Sequence, residues 1–343
     1  MRELLTSSRL KAARQCVRKH DILYRLQVRP AIEADALRFG TLVHKGLESW
    51  WLARSDRLAH ALAAITGEAD PFDHAKAEAL LRGYDARWGG ETFEVLTVEA
   101  QFQTRFVNPD TGRPSDTYDL GGKIDAIVRM DGKTYVVEHK TSSDDIRAGS
   151  GYWKRLRLDG QVSTYFAGAK ALGFDVDGCL YDVLGKPSIR PKDIPVLDED
   201  GVKVVLDRDG LRARTKDGKK WRQTSDAAEG LTLSTRPETP DEYLARCLED
   251  IASDPEAYFQ RGIVVRLAGE VDEAMADSWA LARTLADLDR AGRSPRNPDA
   301  CVSYGQTCAF FDACTGAASI DDPTRFRRLA TAHPELESTP IAA

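Results

Sequence analysis

Two strand-patterned stretches meet at a tight turn, and charged residues break into both of them. Tyr118 to Met130 has the composition of a strand, Asp131-Gly132 is a hairpin turn, and Thr134 to His139 forms the next strand. Asp125 ends an apolar part of the first strand. In the second, Glu138-His139-Lys140 interrupts the apolar run Tyr135-Val136-Val137 with both signs of charge. Glu138 and Lys140 are two residues apart, so they share a face, and the hairpin brings Asp125 close to them. Two carboxylates at such range repel unless a cation neutralises them, and oxygen ligands of this kind suit Mg²⁺ or Mn²⁺. A lysine beside them can hold an attacking water near a phosphate and offset developing charge. The competing reading is a charged strand face turned to solvent.

The surrounding pattern predicts a mixed α/β core. Helices are expected over 6–27, 40–58 and 73–88, a strand from Phe93 to Phe106, a helix from Gly160 to Leu172, and a strand from Cys179 to Leu184. Residues 203–222 carry eight basic and three acidic residues, with Arg212, Arg214 and Lys216 on one strand face. From Pro240 onward the chain reads as helical, with a long segment near 268–290. The organisation expected is one domain over 1–343. Its parts are a helical portion at 1–92, a catalytic core at 93–184, a β-rich basic insertion at 185–235 and a helical portion with a cysteine tail at 236–343.

Further polar residues recur at helical spacing. His44 and Glu48 lie one turn apart; the imidazole can offer a nitrogen to a metal, and Glu48 can orient it. Taken alone, such a histidine is more often structural. Gln161 and Tyr165 form another such pair, suited to a water or a phosphate oxygen, or to an ordinary polar helix edge. Between strand and helix lie Tyr152, Trp153, Lys154, Arg155 and Arg157. Aromatics interleaved with cations suit a single-stranded or frayed nucleic-acid path, and equally a solvated loop.

The six cysteines are unevenly spread. With 343 residues and no secretory segment expected, a disulfide framework is a poor explanation. Cys301, Cys308 and Cys314 crowd the tail, and Cys16 on the basic N-terminal helix is the natural fourth. Four thiolates would complete a tetrahedral Zn²⁺ site or a [4Fe-4S] cubane, between which the sequence does not choose. Cys179 and Cys247 read as ordinary buried thiols. The net charge of -6 leaves room for a basic groove on an acidic body. No run approaches the roughly 20 apolar residues of a membrane span.

Taken together, these residues resemble the PD-(D/E)XK nuclease superfamily, in its RecB-like, Cas4-like exonuclease branch. The pattern is Gly40-x-x-x-His44-x-x-x-Glu48, Gly122-x-x-Asp125, Glu138-x-Lys140 and Gln161-x-x-x-Tyr165, with one N-terminal and three C-terminal cysteines. The resemblance implies a restriction-endonuclease-like mixed sheet flanked by helices, its terminal segments joined by a metal cluster. It implies a Mg²⁺- or Mn²⁺-dependent exonuclease of DNA with free ends, serving end processing or recombination in a bacterial or phage-infected cytoplasm. His44, Asp125, Glu138 and the His139 backbone carbonyl would bind that metal, Lys140 would position the water, and Gln161 and Tyr165 would support the site and contact DNA. Cys16, Cys301, Cys308 and Cys314 would hold a [4Fe-4S] cluster, with structural Zn²⁺ as the alternative. A recombinase or single-strand-binding partner is compatible with this reading. So is a rival one, a non-catalytic DNA-end-binding or zinc-stapled accessory protein.

Overall fold

The fold is described from a computed structural model that covers residues 2–67, 70–303 and 305–337. Its six-stranded sheet comprises β1 (Glu3–Leu5), β2 (Glu94–Val107), β3 (Pro114–Met130), β4 (Lys133–Ser142), β5 (Gly178–Gly185) and β6 (Phe259–Val264). β2, β3 and β4 are antiparallel, β4 and β5 parallel, and β5 and β6 antiparallel. β1 runs parallel to the first half of β3. Asp131 and Gly132 both take positive φ, 52° and 76°, as a two-residue turn matched to strand twist requires.

Helices cover both faces. The principal ones are α1 (Ser7–Gln15), α2 (Asp35–Leu52), α3 (Pro71–Trp88), α4 (Gly151–Leu156), α5 (Gly160–Ala171), α6 (Pro240–Ser253) and α7 (Ala268–Arg290). On one face, Ala126, Val128, Tyr135, Val137 and Leu180 pack under α2, α3 and α6. On the other, Ile124, Ile127, Val136, Cys179 and Val183 pack under α4 and α5. Burial on alternate sides explains why β5, apolar nearly throughout, is wholly buried. α5 is the crossover between parallel strands β4 and β5. It lies close because Gly168 faces Phe102; a Cβ there would stand 2.5 Å from the ring.

Three expectations change. The helix expected over 6–27 breaks at Cys16, whose backbone is extended (φ −164°, ψ 120°). The tail takes up the polar groups this break leaves. Asn297 Nδ2 donates to the Gln15 carbonyl at 2.8 Å, and Arg18 N–H donates to the Pro295 carbonyl at 3.0 Å. The basic segment 203–222 has part of its charge paired, while Lys203, Arg208, Lys219 and Lys220 are exposed. Arg212 pairs with Asp198, and Arg222 and Lys216 pair with Glu229. Arg212 and Arg214 also lie over the Trp221 ring, at 4.3 and 3.9 Å.

The third change concerns the join between the termini. Cys16, Cys301, Cys308 and Cys314 do come near one another. Burial raises the Cys314 pKa first, and Cys308, Cys16 and Cys301 add to it. Yet among the described residues no group of three or more His, Cys, Asp or Glu side chains is placed to hold a metal ion. The expected [4Fe-4S] cluster, its Zn²⁺ alternative and the metal-joined termini are therefore not supported. The cysteines are free and make thiol contacts: Asn297 N–H donates to Cys16 Sγ at 3.4 Å, and Cys301 Sγ donates to the Asn297 carbonyl at 3.6 Å. What joins the termini is a two-stranded ladder of Val28–Pro30 with Phe326–Arg328, above a buried cluster of Ile22, Val28, Phe310 and Phe326. Phe310 and Phe326 stack with ring centres 5.7 Å apart. Cys179 and Cys247 are buried, as expected. No helix among the described residues is long and apolar enough to cross a membrane.

Candidate active site

The β3–β4 ladder runs from the turn as far as Ala126↔Val137, and the next pair in register is Asp125 with Glu138. There the strands part. Asp125 Oδ2 accepts the His139 backbone N–H at 2.8 Å, so the carboxylate takes a donor that the ladder no longer uses. Side chains on β4 alternate, which sends Glu138 and Lys140 toward α5 and His139 toward α2 and α3. α5 begins at Asp159, whose carboxylate caps the Gln161 N–H at 2.9 Å. Gln161 is thereby set facing β4. Lys140 Nζ donates to Gln161 Oε1 at 3.0 Å and pairs with Glu138 Oε1; Gln161 Nε2 donates to Tyr165 Oη at 2.7 Å. The structure thus brings Asp125, Glu138, Lys140, Gln161 and Tyr165 together.

Charge states follow from these contacts. Burial alone would lower the Lys140 pKa, but Glu138, and farther off Asp125 and Asp159, hold it above its ordinary value, so it is an ammonium. Burial raises the Glu138 pKa against the pull of Lys140. Tyr165 is pushed well up by burial and by Glu138 and stays a phenol. His44, on α2, is pushed down to about 3 by burial, with His139 and Lys140 adding to the fall. It is therefore a neutral imidazole, its ring centre 6.3 Å from that of His139. Glu48, half-buried one turn on, is raised by burial, with Asp125 adding to the rise and Lys123 opposing it.

The divalent-metal expectation does not fit this donor set. One Glu138 oxygen is taken by Lys140, one Asp125 oxygen by the His139 N–H, and His44 stands beside His139. Among the described residues no metal-holding group of His44, Asp125 and Glu138 results. The assignment of Mg²⁺ or Mn²⁺ to these residues and to the His139 carbonyl is corrected accordingly.

Two features escaped sequence reasoning. The first is a row across three strands, His139, Asp182 and Arg261, set by the registers His139↔Asp182 and Arg261↔Asp182. His139 Nδ1 lies 3.2 Å from Asp182 Oδ2, Arg261 Nε lies 3.1 Å from Asp182 Oδ1, and Tyr84 Oη donates to Asp182. The signal was one acid in the apolar strand Cys179 to Leu184. The second is Glu99, at φ 52° between the pairs Val98↔Ala126 and Ala100↔Ile124, and so opposite Asp125. Glu99 pairs with Lys123 and is raised to about 7, chiefly by burial, with Asp125 and Glu48 contributing. A non-glycine residue in the left-handed region next to the site carries backbone strain.

Of the aromatic and basic residues in 152–157, Trp153 is structural. Its Nε1 donates to the Ile146 carbonyl at 2.7 Å, and its ring lies against Gly262. Tyr152 and Arg155 line a groove of about 660 Å³ whose wall also includes Lys140 and Gln161. Lys154 and Arg157 are exposed and lie outside that lining.

With this geometry in view, the profile of the PD-(D/E)XK nuclease superfamily matches residues 4–315, and the chain belongs to that superfamily. The match is to the superfamily; with the cluster unsupported, the narrower four-cysteine branch is withdrawn. No curated protein matches. Among solved structures 18 chains match, one of them a crystal structure of SSO0001. It is 15% identical, covers 72% of this chain and 84% of its own, and has a TM-score of 0.21, too low to carry an argument.

Proposed function

We propose that this chain hydrolyses phosphodiester bonds of DNA, as an exonuclease acting on free ends in end processing or recombination. The observation that carries the reading is the Lys140 ammonium, held between Glu138 and Gln161 and opening onto a groove with further cations. Phosphoryl hydrolysis needs a positioned water, a group to take its proton and positive charge near the developing phosphorane oxygens. Lys140 steadies the water and offsets the charge. Asp125 and Glu138 are the carboxylates within reach to accept the proton. Gln161 holds the ammonium in place, and Tyr165 holds Gln161. His44 and Glu48 border the carboxylates from α2. The reading takes 1–343 as a single nuclease domain, with 93–184 as its catalytic core and 185–235 as an insertion.

End-labelled linear DNA and a covalently closed circle provide the test, in reactions run both with a chelator and with Mg²⁺ added. Release of label from linear DNA is expected, with the circle spared. Lys140→Ala should abolish release while leaving the circular dichroism spectrum unchanged. Undiminished release by that variant would overturn the assignment.

A further inference from the structure

The groove at Lys140 has a wall that the sequence motifs do not touch. It is formed by α1, which contributes Lys11 and Arg14 opposite Tyr152 and Arg155 of α4. Arg14 is fixed there: its Nη2 donates to Ser278 Oγ at 3.1 Å, and its guanidinium lies against Gly160 at the start of α5. Lys11 is exposed. Arg155 lies over the Tyr152 ring at 5.6 Å and pairs with Asp144. Burial raises the Tyr152 hydroxyl to about 12, so the ring stays neutral. Asp159, the acid in the lining, is engaged in capping α5 and in accepting the Tyr181 hydroxyl at 3.1 Å. Leu158 joins the lining and is 92% exposed, an isolated apolar side chain beside the cations.

We infer that this groove is a binding site for single-stranded DNA, passed between α1 and α4 so that its phosphodiester reaches Lys140. The inference rests on the proposed hydrolysis at Lys140 and names the substrate class. Three observations carry it. The groove volume of about 660 Å³ is that of a small-molecule pocket, enough for a nucleotide or so of extended strand. Cations stand on both walls, Lys11 and Arg14 on one and Arg155 on the other, as tracking a phosphate backbone requires. Tyr152 and Leu158 offer apolar surface between them, which unstacked bases can use and paired bases cannot.

The test is equilibrium binding by fluorescence anisotropy. The Lys140→Ala chain is used so that hydrolysis does not intrude, with a labelled oligothymidine and a labelled blunt duplex as probes. The single strand is expected to bind at least about tenfold more tightly than the duplex. Adding Tyr152→Leu, which keeps apolar packing but removes the phenol ring, should weaken the single strand about tenfold. Adding Lys11→Glu should weaken it by about as much and flatten its salt dependence. Arg222→Glu in the 185–235 insertion should change neither. Equal or tighter duplex binding overturns the inference, as does single-strand affinity indifferent to both Tyr152→Leu and Lys11→Glu. Label release by the native chain reports on hydrolysis separately. Selective single-strand binding without release would remove the proposed activity and keep the groove; release without selectivity would do the reverse.

Discussion

Asp182→Asn is the most informative single change for stability. The carboxylate is fully buried, accepts the Tyr84 hydroxyl, and lies 3.1 Å from Arg261 Nε and 3.2 Å from His139 Nδ1. Burial acts to raise its pKa, but Arg261 and His139 outweigh it and hold the carboxylate far below its ordinary value. Asparagine keeps the shape and removes the charge, which leaves the Arg261 guanidinium, itself 8% exposed, with Glu91 as its carboxylate partner and the Tyr84 hydroxyl as a neutral acceptor. Breaking a buried pair in this way costs about 3–5 kcal/mol. An unfolding entropy of about 2.1 cal/mol/K per residue, over 343 residues, amounts to about 0.7 kcal/mol/K. The midpoint should therefore fall by about 4–7 °C. Urea unfolding at pH 7 followed by circular dichroism gives the free energy, and a thermal scan gives the midpoint. The double variant Asp182→Leu with Arg261→Met, which removes both charges, should recover much of the loss. A loss under about 0.5 kcal/mol for Asp182→Asn would refute the view that the row is a tightly coupled buried network. A double variant no more stable than the single one would refute it too.

Other outcomes follow from the same contacts. Gly168→Ala should cost about 1–3 kcal/mol in urea unfolding, because its methyl meets the Phe102 ring at 2.5 Å and pushes α5 off the sheet. With Gln161 and Tyr165 on that helix, the variant should also release label more slowly. Glu99 has its pKa raised from 4.5 to about 7 on folding, so the native chain keeps a proton that the unfolded chain gives up. Stability is therefore expected to fall by about 1–3 kcal/mol as pH rises from about 4.5 to 7, and Glu99→Gln should flatten that slope. Urea midpoints measured at several pH values decide it; parallel slopes for the two chains would remove Glu99 as the cause.

The hairpin was legible because its determinants are local. An Asp-Gly turn between alternating strands sets the register, and the register sets Asp125 against Glu138. Gln161 and Tyr165 were legible as a pair because helical spacing puts them on one face, and α5 carries that face to Lys140. The row His139–Asp182–Arg261 was not legible, because its members come from strands 43 and 79 residues apart and meet only through sheet register. Cysteine spacing brought the right segments together for the wrong reason. The thiols are neighbours, but apolar packing and strand pairing join the termini.

Local pattern by itself determined the mixed α/β class, the hairpin and the charged residues at its fork, since turn type, alternation and helical spacing depend only on neighbours in the chain. Tertiary structure alone decided what each charge meets. It paired Arg212, Lys216 and Arg222 of the basic insertion with acids and made Trp153 a packing residue. It put Lys11 and Arg14 of the N-terminal helix into the groove at Lys140. The physical reason is that charge state, burial and groove shape depend on contacts between segments far apart in the chain, and no local pattern encodes those contacts.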